Sequence, residues 1–267
     1  MKIHPTAIVE PGAQLGADVE VGPNSWIGAE VEIGPRTIVQ SHVVLEGAVV
    51  LGADNRVGHG AVIGGTPQDL NFKAGTRSSV EIGDRNVIRE YATIHRGTAV
   101  DSATRVGDDN FLMAGAHLGH NCAIGNKVII ANNCLLGGYV AVEDGAFLGG
   151  GCVFHQFMRV GRLAITQGAS GFGKDIPPYV VASGINKVVG LNVVGLRRAG
   201  FSADERREIR AAFRLLYESG LNVRQALAEA RERTWCAPAQ AFFEFVAAAK
   251  KRGICGSRRA RASSPDR

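Results

Sequence analysis

Three of the seven histidines in this 267-residue chain fall close together, at His95, His117 and His120. A neutral imidazole titrates near pH 6.5, so it can take a proton from a weakly acidic hydroxyl at neutral pH. Counting forward from His120 in steps of three hexapeptides reaches Gly138 and then Gln156, with His155 beside the latter. In a chain that repeats with that step, an imidazole, a glycine backbone and an amide stack in one column. Spacing alone leaves open a solvated histidine with no task. His117-x-x-His120 with His95 offers three ligands to zinc in principle. An i, i+3 pair on a coil, however, sends its side chains to different places around a corner, so no metal is expected. Cys122, Cys134 and Cys152 each stand two residues before an aliphatic, as small inward residues rather than nucleophiles.

The element that must position these groups is a repeat. From Ile3 to Ile63 every sixth residue is aliphatic, and the pattern resumes at Ile82 and runs through Val100 to Val160. A period of six matches neither the 3.6 of an α-helix nor the 2 of an ordinary strand. Small or β-branched residues two positions earlier and frequent Gly one position later complete a hexapeptide repeat. It predicts a parallel β-helix of about eight coils, three short strands to a coil, with Gly and Asn at the corners. One repeat cannot bury its own apolar face; stacked coils build a continuous core. Between Ile63 and Ile82 the spacing is 19, not a multiple of six, so a loop carrying Gln68, Asp69 and Lys73 leaves the ladder there.

The periodicity stops near Lys174, and residues to Gly200 read as a linker and a last irregular coil. Ser202 with Glu205 forms a capping box for a helix to about Glu218, Asn222 caps a second to about Arg233, and Pro238 starts a third to about Lys251. The expected organisation is therefore a β-solenoid over 1–190, a helical domain over 191–255 and a disordered basic tail over 256–267. Residues 197–267 carry a net charge of +8 and the rest −3. The basic residues are mixed with Glu on amphipathic helices and lack a recognised binding module, so no nucleic-acid partner is expected. The basic face suits an acidic protein or phosphates. No long apolar run, no signal region and no disulfide framework are present, which points to a cytoplasmic protein without stable membrane insertion.

The strings Ile82-Gly83-Asp84-Arg85-Asn86, Thr93-Ile94-His95-Arg96-Gly97-Thr98, Ala116-His117-Leu118-Gly119-His120-Asn121-Cys122, His155-Gln156-Phe157 and Asp175-Ile176-Pro177-Pro178-Tyr179 occur in that order. Together with Gly195-Leu196-Arg197-Arg198-Ala199-Gly200-Phe201 they make the chain similar, over nearly its whole length, to the acyl-carrier-protein-dependent UDP-N-acetylglucosamine O-acyltransferases, the first enzymes of lipid A synthesis. The resemblance implies a left-handed parallel β-helix, a homotrimer and active sites in the clefts between prisms. It implies transfer of a 3-hydroxyacyl group from the carrier protein's phosphopantetheine thioester to the sugar 3-hydroxyl. No cofactor is implied, because the phosphopantetheine arrives on the acyl carrier protein. By the same resemblance His120 is the general base and the Gly138 N–H the oxyanion donor. Gln68 and Asp69 hold sugar and acyl or pantetheine portions. His117, His155, Gln156, Asn192 and Arg198 lie around the nucleotide, with Arg197 and His95 as further members, and Gly168 limits the acyl chain.

Gly168 also ends a column of its own, Ala114, Asn132, Gly150 and Gly168 at the same three-hexapeptide step, and a glycine there predicts an open groove and a preference for long acyl chains. Two positions depart from the resemblance: Asn121 stands where many relatives have Asp, and Tyr139 where they often have His. Alternatives are the same transfer to the 3-amino sugar, the pathway's N-acyltransferase, whose uridine-binding domain would precede the coils, and a non-catalytic hexapeptide scaffold.

Overall fold

The computed structural model describes residues 1–257. Its strands, two to five residues long, form three sheets of 12, 9 and 8 strands, here sheets A, B and C, which make the sides of a triangular prism. Neighbouring strands are parallel and in the regular coils meet three hexapeptides apart, as Val21 with Val39 in sheet A, Leu118 with Leu136 in sheet B and Ile124 with Val142 in sheet C. Each short strand turns one aliphatic inward, and these residues are 0–4% exposed from Val21 to Val160. Cys122, Cys134 and Cys152 share that core. Burial pushes the Cys122 thiol up to about 12 and the Cys134 thiol up as well, so neither is a nucleophile at neutral pH. Sheet B counts nine strands, so the prism has about nine coils where eight were expected, because Thr166 and Phe172 extend the ladder past Val160.

Repetition also provides acceptors for backbone N–H groups inside. Asn55, Asn86 and Asn110 are 0–1% exposed and stack coil upon coil, each side-chain oxygen accepting the backbone N–H one coil on, at 2.7–2.9 Å. The outer corners are less selective than expected. Besides Gly and Asn, residues as large as His42, Tyr91, Tyr139 and Phe157 hold φ of +57° to +66° there. The ladder on both sides of such a corner fixes a conformation that a bulky residue would otherwise avoid.

Two segments leave the prism at the same edge, between sheets B and C. The first lies between the strands Val62–Gly65 and Ser79–Ile82, as expected from the spacing of 19. The second lies between Thr93–His95 and Ala103–Val106, where the repeat pattern carries no sign of a break. Val100, an inward repeat residue by its spacing, is instead 70% exposed. The insertion adds one whole hexapeptide, so the phase is kept. The ladder records it: Thr93 pairs with His117, four hexapeptides on rather than three.

At the far end the strands Val180–Ser183 and Lys187–Leu191 form an antiparallel hairpin on sheet A. Four helices follow among the described residues: α1 (Val193–Arg198), α2 (Ala203–Tyr217), α3 (Val223–Arg231) and α4 (Ala237–Ala247). Capping boxes at Ser202–Glu205 and Asn222–Gln225 open α2 and α3. α1 replaces part of the expected irregular coil; it exists because Asn192 caps it and Leu196 is buried beneath it. The chain then returns, and Gly256–Ser257 adds a parallel strand beside Lys187–Val188. A disordered tail therefore cannot begin at Gly256, and the remainder of that expected tail lies outside the described residues. Arg159 ties prism to helices, pairing with Asp175 at 2.7 Å and donating to the Phe245 carbonyl at 2.9 Å.

Candidate active site

His120 sits at the corner where sheet B turns into sheet C, two residues past the inward Leu118. The next coil brings Gly138 directly against its ring, and any Cβ at Gly138 would collide with the imidazole. With the ring in this position only glycine fits, and a side chain there would push the imidazole away. Gly137 N–H and Tyr139 N–H both enter the ladder, to Phe154 O and His120 O at 2.9 Å each. The Gly138 N–H between them has no hydrogen-bond partner among the described residues. On the other side, His120 Nδ1 lies 3.0 Å from Asn121 Oδ1. Asn121 in turn meets Thr98 of the second inserted segment, and the Tyr139 ring packs edge-on to His120 at 5.3 Å.

His117 shares the coil of His120, and His95 lies one coil back along sheet B, the rings of His95 and His117 edge to face at 4.9 Å. Thr93 Oγ1 holds His117 Nδ1 at 2.7 Å. Burial lowers the pKa of His117. Burial, then His117, His120 and Arg96, pull that of His95 from 6.5 to about 4. His95 is thus neutral at physiological pH, and its buried Nδ1 has no partner among the described residues. A polar atom left free in this way costs stability unless a ligand meets it. Gln68, His95, His117, His120, Gly138, His155 and Gln156 all line one cleft of about 370 Å³. None of its lining residues is a carboxylate. No group of three His, Cys, Asp or Glu among the described residues is arranged to hold a metal ion.

The other expected site residues lie elsewhere. Asp69 is on the first loop but does not line the cleft; its Oδ1 accepts the Asn71 N–H at 2.9 Å. Asn192 is 6% exposed, its oxygen accepting Gly195 N–H at 2.8 Å and its amide donating to Leu163 O at 2.9 Å. Within one chain it is a helix cap rather than a nucleotide contact. Arg197 lines a groove between α1 and α2 with Arg206, Arg207 and Arg210, and Arg198 is exposed on α1. Gly168 is exposed at the opposite corner of sheet B, stacked on Gly150 as the column required. Sequence reasoning missed Thr98, which the in-phase insertion concealed, and Thr104, whose hydroxyl donates to His95 O and accepts from Asn121 N–H at 2.8 Å.

Residues 175–255 match the family model for UDP N-acetylglucosamine O-acyltransferase, domain 2, and residues 103–138 that for the bacterial transferase hexapeptide. The chain is 50% identical over 261 residues to the acyl-(acyl-carrier-protein)–UDP-N-acetylglucosamine O-acyltransferase of Paraburkholderia xenovorans, covering 95% of this chain and 98% of that protein. It is 48% identical, at the same coverage, to the protein of that name from Burkholderia orbicola. The solved UDP-N-acetylglucosamine acyltransferase of Francisella novicida superposes with a TM-score of 0.90 at 35% identity, covering 99% of this chain and all of that one. A solved relative from Acinetobacter baumannii gives 0.90 at 38% identity, covering 94% of this chain and 98% of that one. These likenesses identify the prism as a left-handed parallel β-helix.

Proposed function

The chain belongs to the acyl-(acyl-carrier-protein)–UDP-N-acetylglucosamine O-acyltransferases, enzymes of the first step of lipid A synthesis, and on that premise we propose a mechanism centred on His120. The enzyme moves an acyl group from acyl carrier protein to UDP-N-acetylglucosamine. In our reading the group is a 3-hydroxyacyl chain and the acceptor is the sugar 3-hydroxyl. That hydroxyl is far too weak an acid to attack unaided at pH 7. His120 Nε2 takes its proton as the oxygen attacks the thioester carbonyl carbon. The tetrahedral oxyanion meets the partnerless Gly138 N–H, an interaction worth about 3 to 4 kcal/mol in comparable sites. As the carbonyl re-forms, the C–S bond breaks and the imidazolium returns its proton to the leaving pantetheine thiolate. The ester, the free thiol and a neutral His120 result. The approach of the His120 ring to the bare backbone of Gly138 is the observation that carries this reading.

Gln68, His95, His117, His155 and Gln156 would contact the substrates in the cleft, and Asp69 from the loop edge. Arg197 and Arg198 suit the nucleotide phosphates or the acidic carrier protein, which the basic groove between α1 and α2 would dock. Asn192 would act indirectly, by holding α1. A homotrimer is supported by the faces of the prism. Outward positions on sheet A are aliphatic or aromatic at Ile38, Val87, Phe111, Ile129 and Phe147, and sheet B exposes Leu135 and Val153 at 43% and 50%. Sheet C instead turns out Glu32, Glu81, Arg105 and Arg159. Two faces with long apolar stretches and a third that is mostly charged, with Val50 its exposed aliphatic, suit a prism with two neighbours about a threefold axis. No described helix is long and apolar enough to cross a membrane, and the free cysteines suit a cytoplasmic enzyme.

The test is to incubate purified protein with carrier-protein thioesters of graded chain length and with UDP-N-acetylglucosamine or its 3-amino analogue, and to identify the product. Ester formation that His120→Ala abolishes supports the mechanism. A folded, fully active His120→Ala overturns it, and amide formation alone would reassign the acceptor.

A further inference from the structure

The hydrogen bonds that converge on Asn121 have a direction. The Thr98 backbone N–H can only donate, and it lies 3.1 Å from the Asn121 side chain. The atom it meets must therefore be the amide oxygen, Oδ1, and not the amide nitrogen. That same oxygen lies 3.0 Å from Thr98 Oγ1 and 3.0 Å from His120 Nδ1. An amide oxygen only accepts, so Nδ1 of His120 carries the hydrogen and the lone pair of the neutral ring sits on Nε2. The Thr98 hydroxyl has one hydrogen, given to Asn121, and so accepts from the Tyr139 hydroxyl 3.1 Å away.

We propose that Asn121 is a positioning residue for the acyl transfer: an uncharged amide, clamped by Thr98, whose hydroxyl Tyr139 meets in turn, that fixes His120 in the Nδ1–H tautomer with Nε2 free for the substrate proton. The proposal rests on the reading of His120 as the base. It gives the second inserted segment a task, since Thr98 supplies the donor that sets the amide's orientation. It also accounts for Asn at this corner, where φ is +58° and Asn is among the few side chains at ease. Asp69, a carboxylate on the first loop, gives no such support, for it is engaged with Asn71 and does not line the cleft. The titratable groups that share the cleft with His120 are His95, His117 and His155, and Tyr139 packs edge-on to its ring. The imidazolium formed during transfer is therefore oriented by its neighbours but not neutralised by any of them.

Three variants, assayed beside His120→Ala, test this. Asn121→Gly keeps the left-handed corner and removes the amide; kcat should fall about 10- to 100-fold with KM for the sugar nucleotide little changed. Nitrogen-15 spectra of the imidazole should show the wild-type Nδ1–H tautomer giving way to a mixture. Asn121→Asp should retain activity but move the acid limb of the kcat/KM profile up by about one pH unit, because a carboxylate stabilises the imidazolium. Thr98→Val should lower kcat less than Asn121→Gly and in the same direction. Wild-type kcat and an unchanged tautomer in Asn121→Gly, beside an inactive His120→Ala, would overturn the proposal while leaving the base in place. An active His120→Ala would remove both.

Discussion

From Val106 to Val160 each strand meets the next one a regular coil further on, and of the side-chain polar atoms buried there only Asn110 Nδ2 lacks a partner among the described residues. Between Ile63 and Val106 the spacing is broken twice, and the polar groups are treated differently. The other two buried side-chain polar atoms without a partner among the described residues, Ser78 Oγ and His95 Nδ1, fall within this stretch. Repetition satisfies hydrogen bonds by presenting the same donor and acceptor on every coil. Where it is interrupted, a loop brings in chemistry that the neighbouring coil does not repeat, and the unpartnered His95 Nδ1 belongs to a residue that lines the cleft.

The sharpest way to break this comparison is a crosswise pair of substitutions. His120→Ala should lower kcat by about 10² to 10⁴ without moving the unfolding midpoint, since the ring lies on the outside of the ladder. Ile130→Ala, at a fully buried position in the regular coils, should do the reverse. Its cost is about 2 to 5 kcal/mol in denaturant unfolding, with kcat per folded molecule unchanged. A stability loss in the first variant or a catalytic loss in the second would blur the two regions.

Gly168 tests whether the regular coils contribute to specificity at all. Gly168→Met should shift the donor preference towards shorter chains, by about fourfold per methylene excluded. A Cβ there would lie 3.0 Å from Gly150 O, so Gly168→Ala serves as the control for crowding of the backbone alone. An unaltered length profile would confine specificity to the interrupted coils. A smaller effect is expected from the helices. Arg197→Glu and Arg210→Glu should raise KM for the protein thioester a few-fold, less for a pantetheine analogue, and less again in high salt. Arg206 is a poorer probe because it also holds the Phe201 carbonyl.

The two regions should also differ in how stability depends on pH. His95 has its pKa held at about 4 in the folded chain, by burial first, against an ordinary 6.5. Above pH 6.5 both states are neutral there and it contributes no slope. As pH falls from 6.5 to about 4 the unfolded chain takes a proton that the folded one refuses, so stability declines across that window and levels off below it. His95→Asn should flatten the decline in chemical unfolding curves taken between those limits. An equally steep curve would place the proton uptake elsewhere, with His117 the next candidate.

The hexapeptide period made the prism legible because the rule is stereochemical: every sixth side chain points inward. The same rule concealed the second insertion, since one whole extra hexapeptide leaves the phase intact and Val100 supplies an aliphatic at the right place. The His120, Gly138 and Gln156 column followed from adding one coil at a time, and the structure reproduces it. Thr98 could not be found that way, for its contact with Asn121 crosses from a loop whose path no periodicity governs. Asn192 illustrates the converse. Its side chain is fully engaged in capping α1 and holding Leu163, a task visible only once a helix too short for any sequence pattern is in view.

Because every coil pairs with the next through its backbone, distance along the prism is set by residue number. From His120 to Gly168 the chain advances by two and two-thirds coils. At the strand spacing of about 4.8 Å this is an axial rise of roughly 13 Å. Side chains can be exchanged without altering that interval, whereas an added or deleted coil would change it by one whole step. The solenoid thus behaves as a graduated scale whose divisions are peptide hydrogen bonds. A glycine or a bulky residue only chooses the mark at which the scale is read.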